Sequence, residues 1–129
     1  MAFTTSLLTS YLDDCNIKYQ VEGGFVGFEY NQRLFFGAIC STPPFESCLS
    51  MVLPGLCEVS PFDVKTYLKF INQLNGDMDL VKFVFDEKDN SIYVEAFIPL
   101  DSSPEMDDLV PGLVNVLLAA HDRFVAAHQ

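Results

Sequence analysis

Three consecutive stretches decide the fold of this chain: PFDVKTYLKFINQLN (residues 61–75), LVKFVFDEKDNSIYVEAFIPL (residues 80–100) and EMDDLVPGLVNVLLAAHDRFVAA (residues 105–127). In the first, Val64, Leu68 and Ile71 recur at i, i+4 and i+7, joined by Tyr67 and Leu74, which is the spacing of one helical face. Ser60, Pro61 and Asp63 open it as a cap, a first-turn proline and an acid at the positive end. Asn75-Gly76 reads as its stop. In the second, Val81, Phe83 and Phe85 alternate with Lys82 and Val84, and Ile92, Val94, Ala96 and Ile98 alternate with Tyr93, Glu95 and Phe97. These runs flank Glu87-Lys88-Asp89-Asn90, so two strands joined by a tight turn are expected. In the third, Ser103 and Pro104 start a helix with Glu105, Asp107 and Asp108 in its first turn. Met106, Leu109, Val110, Leu113, Val114, Val116, Leu117, Ala120 and Phe124 then give it an apolar surface wider than one stripe. Such a helix is central or packed on two sides.

Upstream, Leu7, Leu8, Tyr11 and Leu12 follow Thr4 and Thr5 at helical spacing. Ile17, Tyr19 and Val21 alternate with polar residues as a half-buried strand, and Gly23-Gly24 is a turn. Phe25 to Tyr30 and Arg33 to Cys40 read as the next two strands, joined by Asn31-Gln32. Gly27 and Gly37 interrupt them, which points to a bulge or a close approach by another backbone. Pro43-Pro44 is expected to end that hairpin, and Cys48 to Leu53 to add a short strand with an edge position suited to Pro54-Gly55. The expected architecture is one α+β domain, residues 1–129, in the order α-β-β-β(-β)-α-β-β-α, with an antiparallel sheet packed against helices.

The chain has 129 residues, 50% of them hydrophobic, with twelve phenylalanines and no tryptophan. That is enough for one real core without disulfides or metal. A net charge of −11 disfavours nucleic acid and anionic membrane surfaces, both of which are bound through lysine and arginine. No basic region precedes an apolar segment in residues 1–16, and the apolar runs at 34–40 and 110–120 are too short or interrupted to span a bilayer. Cys15, Cys40, Cys48 and Cys57 have no Cys-x-x-Cys spacing and read as reduced thiols. Cytoplasm is the expected location.

Chemistry-bearing candidates are sparse. A thiol nucleophile needs a base, and His121 and His128 have no cysteine near them in sequence. These two histidines stand roughly 10.5 Å apart along a helix, too far to share one ion. Asp86, Glu87, Asp89 and Asn90 lack calcium-loop spacing and read as a turn. No catalytic, metal or cofactor residue is therefore expected, and the chain reads as a non-enzyme. Phe25, Phe28, Tyr30, Phe35, Phe36, Phe45, Tyr93 and Phe97 exceed what one sheet face needs. Two readings of this surplus stand side by side: a sheet covered by helices on one face and partly by loops on the other, or an exposed apolar patch used for dimerisation or a bound peptide, with Phe35 and Phe36 pointing to opposite faces. The expected interface comprises Phe35, Tyr93, Phe97, Leu113, Leu117 and Phe124.

Phe70-Ile71-Asn72-Gln73-Leu74-Asn75, Lys82-Phe83 with its acidic hairpin, Val94 to Asp101 and Ala120 to Phe124 resemble the YbjN-like family. Leu7 to Asp14 and Val26 to Asn31 extend the likeness over nearly the whole chain. The element order also resembles that of class I type III secretion chaperones. The resemblance implies a chaperone-like fold, an acidic cytosolic protein and a homodimer, with no catalytic residues to carry over. YbjN-like proteins are described as proposed sensory-transduction regulators, and secretion chaperones hold extended client segments along hydrophobic patches. A homodimeric protein- or peptide-binding regulator is the expectation. A small-molecule-binding or enzymatic domain with a pocket between sheet and helices is the alternative.

Overall fold

The computed structural model describes residues 3–128. Three helices and six strands follow in the order α1 (Ser6–Asp14), β1 (Tyr19–Glu22), β2 (Phe25–Tyr30), β3 (Arg33–Thr42), β4 (Phe45–Glu58), α2 (Val64–Asp77), β5 (Lys82–Asp86), β6 (Ser91–Pro99) and α3 (Met106–His128). The strands form one antiparallel sheet in the order β1-β2-β3-β4-β6-β5. This is the expected α+β arrangement.

Alternation decides which side of the sheet the helices cover. Val26 and Phe28 of β2, Phe35 of β3, Leu49, Met51 and Leu53 of β4, Phe83 of β5 and Ile92, Val94 and Ala96 of β6 are all buried in one cluster. Every second residue of a strand shares a face, so these positions define one side. Leu8 and Leu12 of α1, Ile71 and Leu74 of α2, and the stripe Val110, Val114, Leu117, Ala120 and Phe124 of α3 belong to the same cluster. Burying a side chain of this kind stabilises the fold by about 1.5–3 kcal/mol, so the covered face is the main source of stability. The α3 helix is long and apolar enough to cross a bilayer by length and composition. Seven of its residues lie in the core.

Several local expectations change. The β4 strand is long and interior rather than short and at an edge, because Phe45–Glu58 pairs with β3 on one side and β6 on the other. Its Pro54 falls where the β4–β6 register shifts between Leu53 and Cys57, and Gly55 there takes φ +69°. A proline is tolerated where the ladder is already interrupted. Pro43 and Pro44 end the β2–β3 hairpin as expected, and they also form the turn into β4, since β3 stops at Thr42 and Thr42 and Phe45 are register partners.

Asn75 does not stop α2, which runs on to Asp77. Its side-chain amide instead meets the edge strand β5: Nδ2 donates to the Phe83 carbonyl at 3.0 Å, and the Phe83 N–H donates to Oδ1 at 2.7 Å. One side chain thus stands in for a neighbouring strand and blunts that edge.

Candidate functional site

The face of the sheet opposite the helices is uncovered. One register row crosses all six strands on it: Gln20, Gly27, Phe36, Val52, Glu95 and Lys82. Five inter-strand spacings of about 4.8 Å make this row about 24 Å wide. A Cβ on Gly27 would lie 3.1 Å from Cε1 of Phe36, so the missing side chain lets the Phe36 ring lie close over the strand. Ala38, Ser50 and Phe97 form part of the next row on the same face. The result is a broad trough of about 1080 Å³. Its apolar floor comes from Leu34, Phe36, Ala38 and Val52, with Phe25 and Tyr93 toward its sides. Phe25, Leu34 and Phe97 are 52%, 50% and 56% exposed, an unusual amount of apolar surface for large side chains on one sheet face.

The margins of the trough are acidic. Glu22 stands on the β1 side, and Glu58, Asp86, Asp89 and Glu95 stand on the β6 and β5 side. Five carboxylates line the trough, and Lys82 stands opposite Glu95 at the end of the same row. Glu22 on β1 is separated from Glu58 on β4, Glu95 on β6 and Asp86 on β5 by three to five strand spacings, or ~14–24 Å. Burial raises the Tyr93 phenol above its ordinary value, and Glu95 and Asp86 add to that shift. Two of the acids also have local structural partners. Asp86 accepts the Lys88 N–H at 2.9 Å, and Asp89 accepts the Ser91 hydroxyl at 2.6 Å, which shapes the β5–β6 turn.

Of the six residues expected at an interface, Tyr93 and Phe97 lie on this uncovered face. The other four are corrected to core positions. Phe35 and Leu117 are fully buried, Phe124 is 2% exposed and Leu113 is 8% exposed. Their faces are taken up within the chain: Phe35 stacks on Phe28 at 6.0 Å, and Phe124 packs between Phe70 and Phe83 at 5.2 and 5.9 Å. The floor residues that the sequence did not single out are Leu34, Ala38 and Val52. In β3 both alternating phases are apolar, so periodicity alone cannot say which phase meets the helices.

A second polar cluster lies on the helix side. The Tyr67 hydroxyl meets Nε2 of His128 and also bonds to Cys57, which brings a cysteine, a tyrosine and a histidine together from β4, α2 and α3. Burial pushes the Cys57 thiol up, partly offset by the Tyr67 hydrogen bond, which makes it less reactive. The Phe70, Phe124 and His128 rings pack around the same corner at 5.2–6.0 Å. This arrangement closes the α2–α3 contact. His121 pairs with its neighbour Asp122 at 3.2 Å. No group of three or more histidine, cysteine, aspartate or glutamate residues among those described could hold a metal ion.

No family model matches the chain, and no curated protein matches it in sequence. Among solved structures, the chain is similar to YbjN from E. coli, described as a proposed transcription regulator. That match has a TM-score of 0.58 and 13% identity, and covers 97% of this chain and 87% of the other. It is also similar to an uncharacterized protein from Methanothermobacter thermautotrophicus, with a TM-score of 0.57 and 12% identity over 95% of this chain and 94% of that one. At such identities the likeness is one of fold: an antiparallel sheet with helices on one face, the YbjN-like fold.

Proposed function

We propose that this domain is a non-enzymatic, chaperone-like protein-binding module that uses the uncovered face of its sheet. The observation that carries the reading is the apolar floor bounded on both sides by carboxylates. Such a surface suits a segment with apolar side chains on one face and lysine or arginine at its flanks. The apolar side chains of the floor are spread across strands β3 and β4 rather than gathered in a closed cavity, which suits a peptide. The polar groups around it are dispersed along two margins. The domain acts as a homodimer in this reading, with its dimer contact elsewhere, because face-to-face pairing would set five carboxylates against five. The E. coli neighbour's description fits through a protein partner, since a net charge of −11 opposes direct contact with nucleic acid. A cytoplasmic setting belongs to this reading.

The test is a titration of isotopically labelled protein with a designed amphipathic peptide carrying lysines on both flanks of an apolar face. Amide shifts are expected at Phe36, Val52, Tyr93 and Phe97, weakening with added salt. Leu34→Glu and Phe97→Glu should each reduce affinity at least about tenfold, through lost apolar contact and the cost of desolvating a carboxylate beneath the apolar face of the peptide. Shifts confined to the helical face, or tight binding of an acidic peptide instead, would overturn the proposal.

A further inference from the structure

Two of the four cysteines are register partners: Cys40 of β3 stands directly opposite Cys48 of β4. Residues opposed across an antiparallel pair project from the same side of the sheet. Both thiols therefore project from the side of the sheet away from the helices, in line with Ala38 and Ser50 of the neighbouring pair. Directly opposed Cα atoms lie about 4.5–5.5 Å apart, within the roughly 4.4–6.8 Å that a disulfide spans. The pair is asymmetric. Cys40 is exposed, whereas Cys48 has no exposed surface and lies between Cys40 and its other register partner, Pro99. The remaining cysteines are placed differently: Cys57 pairs in register with helix-facing Ile92 and bonds to Tyr67, and Cys15 follows α1.

We propose that Cys40 and Cys48 are a redox modification site, with Cys40 as the entry thiol and Cys48 as the resolving thiol of a reversible intramolecular disulfide. The oxidant is a low-molecular-weight disulfide. The Cys40 thiolate attacks one of its sulfurs, that S–S bond breaks, and one thiolate leaves and takes up a proton. A mixed disulfide remains on Cys40. Cys48 then attacks the Cys40 sulfur, the mixed disulfide breaks, and a second small thiol leaves with the proton from Cys48. Two protein thiols are oxidised to one disulfide, and the small disulfide is reduced to two thiols. The order follows from access: a reagent reaches Cys40 directly, while Cys48 is shielded from solvent but adjacent to the sulfur it must attack. In a reducing compartment the dithiol is the resting form. Because Cys40 also lines the trough, the modification alters one end of the uncovered face.

The experiment equilibrates the folded wild-type protein in buffers of graded reduced-to-oxidised glutathione ratio, alkylates free thiols and maps the fragments. Cleavage after Glu46 separates Cys40 from Cys48, so a bond between them joins two fragments. The expected result is a fall from four to two alkylatable thiols, reversible by dithiothreitol, with the protein still one chain on a non-reducing gel. Cys48→Ser should trap a single glutathione adduct at Cys40, and Cys57→Ser should leave the bond intact. The wild-type measurement does not depend on a variant folding. Four alkylatable thiols at every ratio would overturn the proposal. So would a bond to Cys15 or Cys57, a bond between chains, or a persistent Cys40 adduct beside a free Cys48.

Discussion

Gly37 and Leu8 should be energetically coupled, because α1 approaches β3 where Gly37 lacks a side chain. A Cβ built on Gly37 would lie 2.8 Å from Cδ2 of Leu8, while its next neighbours, Cε1 of Phe28 and the Ser50 carbonyl, lie at 3.6 and 3.7 Å. Ordinary carbon–carbon contact needs about 3.5–4.0 Å, so Leu8 must retreat by roughly 0.7–1.2 Å. Leu8 is fully buried, so its methyl has no open space to enter. Overpacking of this kind costs about 1–3 kcal/mol, and replacing glycine in a strand returns about 0.5–1 kcal/mol. Gly37→Ala should therefore destabilise the protein by about 0.5–2 kcal/mol. Leu8→Ala alone should cost about 2–5 kcal/mol through lost burial and a cavity. In the double variant the clash is gone and the new methyl partly fills the cavity, so adding Gly37→Ala should then cost nothing or stabilise slightly. The expected coupling is about 1–2 kcal/mol. Urea unfolding followed by far-ultraviolet circular dichroism measures all four corners, with the midpoint carrying the difference while the slope stays constant. Additivity within about 0.5 kcal/mol would refute the close approach of α1 to β3.

Asn75→Asp should destabilise the protein by about 1.5–3 kcal/mol at neutral pH, because a charged acceptor replaces the donor facing the Phe83 carbonyl. Protonation restores a donor, so the introduced carboxyl should have a folded pKa above its unfolded value near ~3.9. The variant's deficit against wild type should accordingly shrink below about pH 4 and grow as pH rises through the folded pKa; a deficit independent of pH in matched urea titrations would contradict this pairing. Tyr11, Tyr67 and Tyr93 are all held above the ordinary phenol value, first of all by burial. Their neutral forms thus contribute stability that is complete below the unfolded value near ~10 and lost as pH rises above it. With no tryptophan in the chain, absorbance near the phenolate band reports them cleanly, and normal titration of all five tyrosines in the folded protein would count against their packing. Phe124→Ala should cost about 3–5 kcal/mol and Phe97→Ala under about 1 kcal/mol in thermal or urea unfolding, since one ring is in the core and the other is 56% exposed. Equal costs would mean that the two faces of the sheet have been assigned wrongly.

Local order was legible along most of the chain because it depends on near neighbours. The alternation at Ile92, Val94, Ala96 and Ile98 fixed both the strand and its buried phase, since the opposite phase carries Glu95. The stripe from Val110 to Phe124 likewise fixed α3 and its buried side. Asn31 and Gln32, both at positive φ in the structure, announced their tight turn through their position between two apolar runs. Where both phases of a strand are apolar, as with Leu34, Phe36 and Ala38 against Phe35 and Ile39, local pattern carries no preference. Pairing through Phe28–Phe35 on one face and Gly27–Phe36 on the other made that choice. Asn75 shows the same limit: helix-stop chemistry and an edge-strand partner use the same residue, and only the approach of β5 to α2 selects between them. The sequence by itself determined the elements, their order, the acidity and most of the core, because propensity, period and charge are properties of short segments. The uncovered apolar trough, its two acidic margins and the facing thiols of Cys40 and Cys48 were decided by strand pairing, which brings together residues that no local pattern connects.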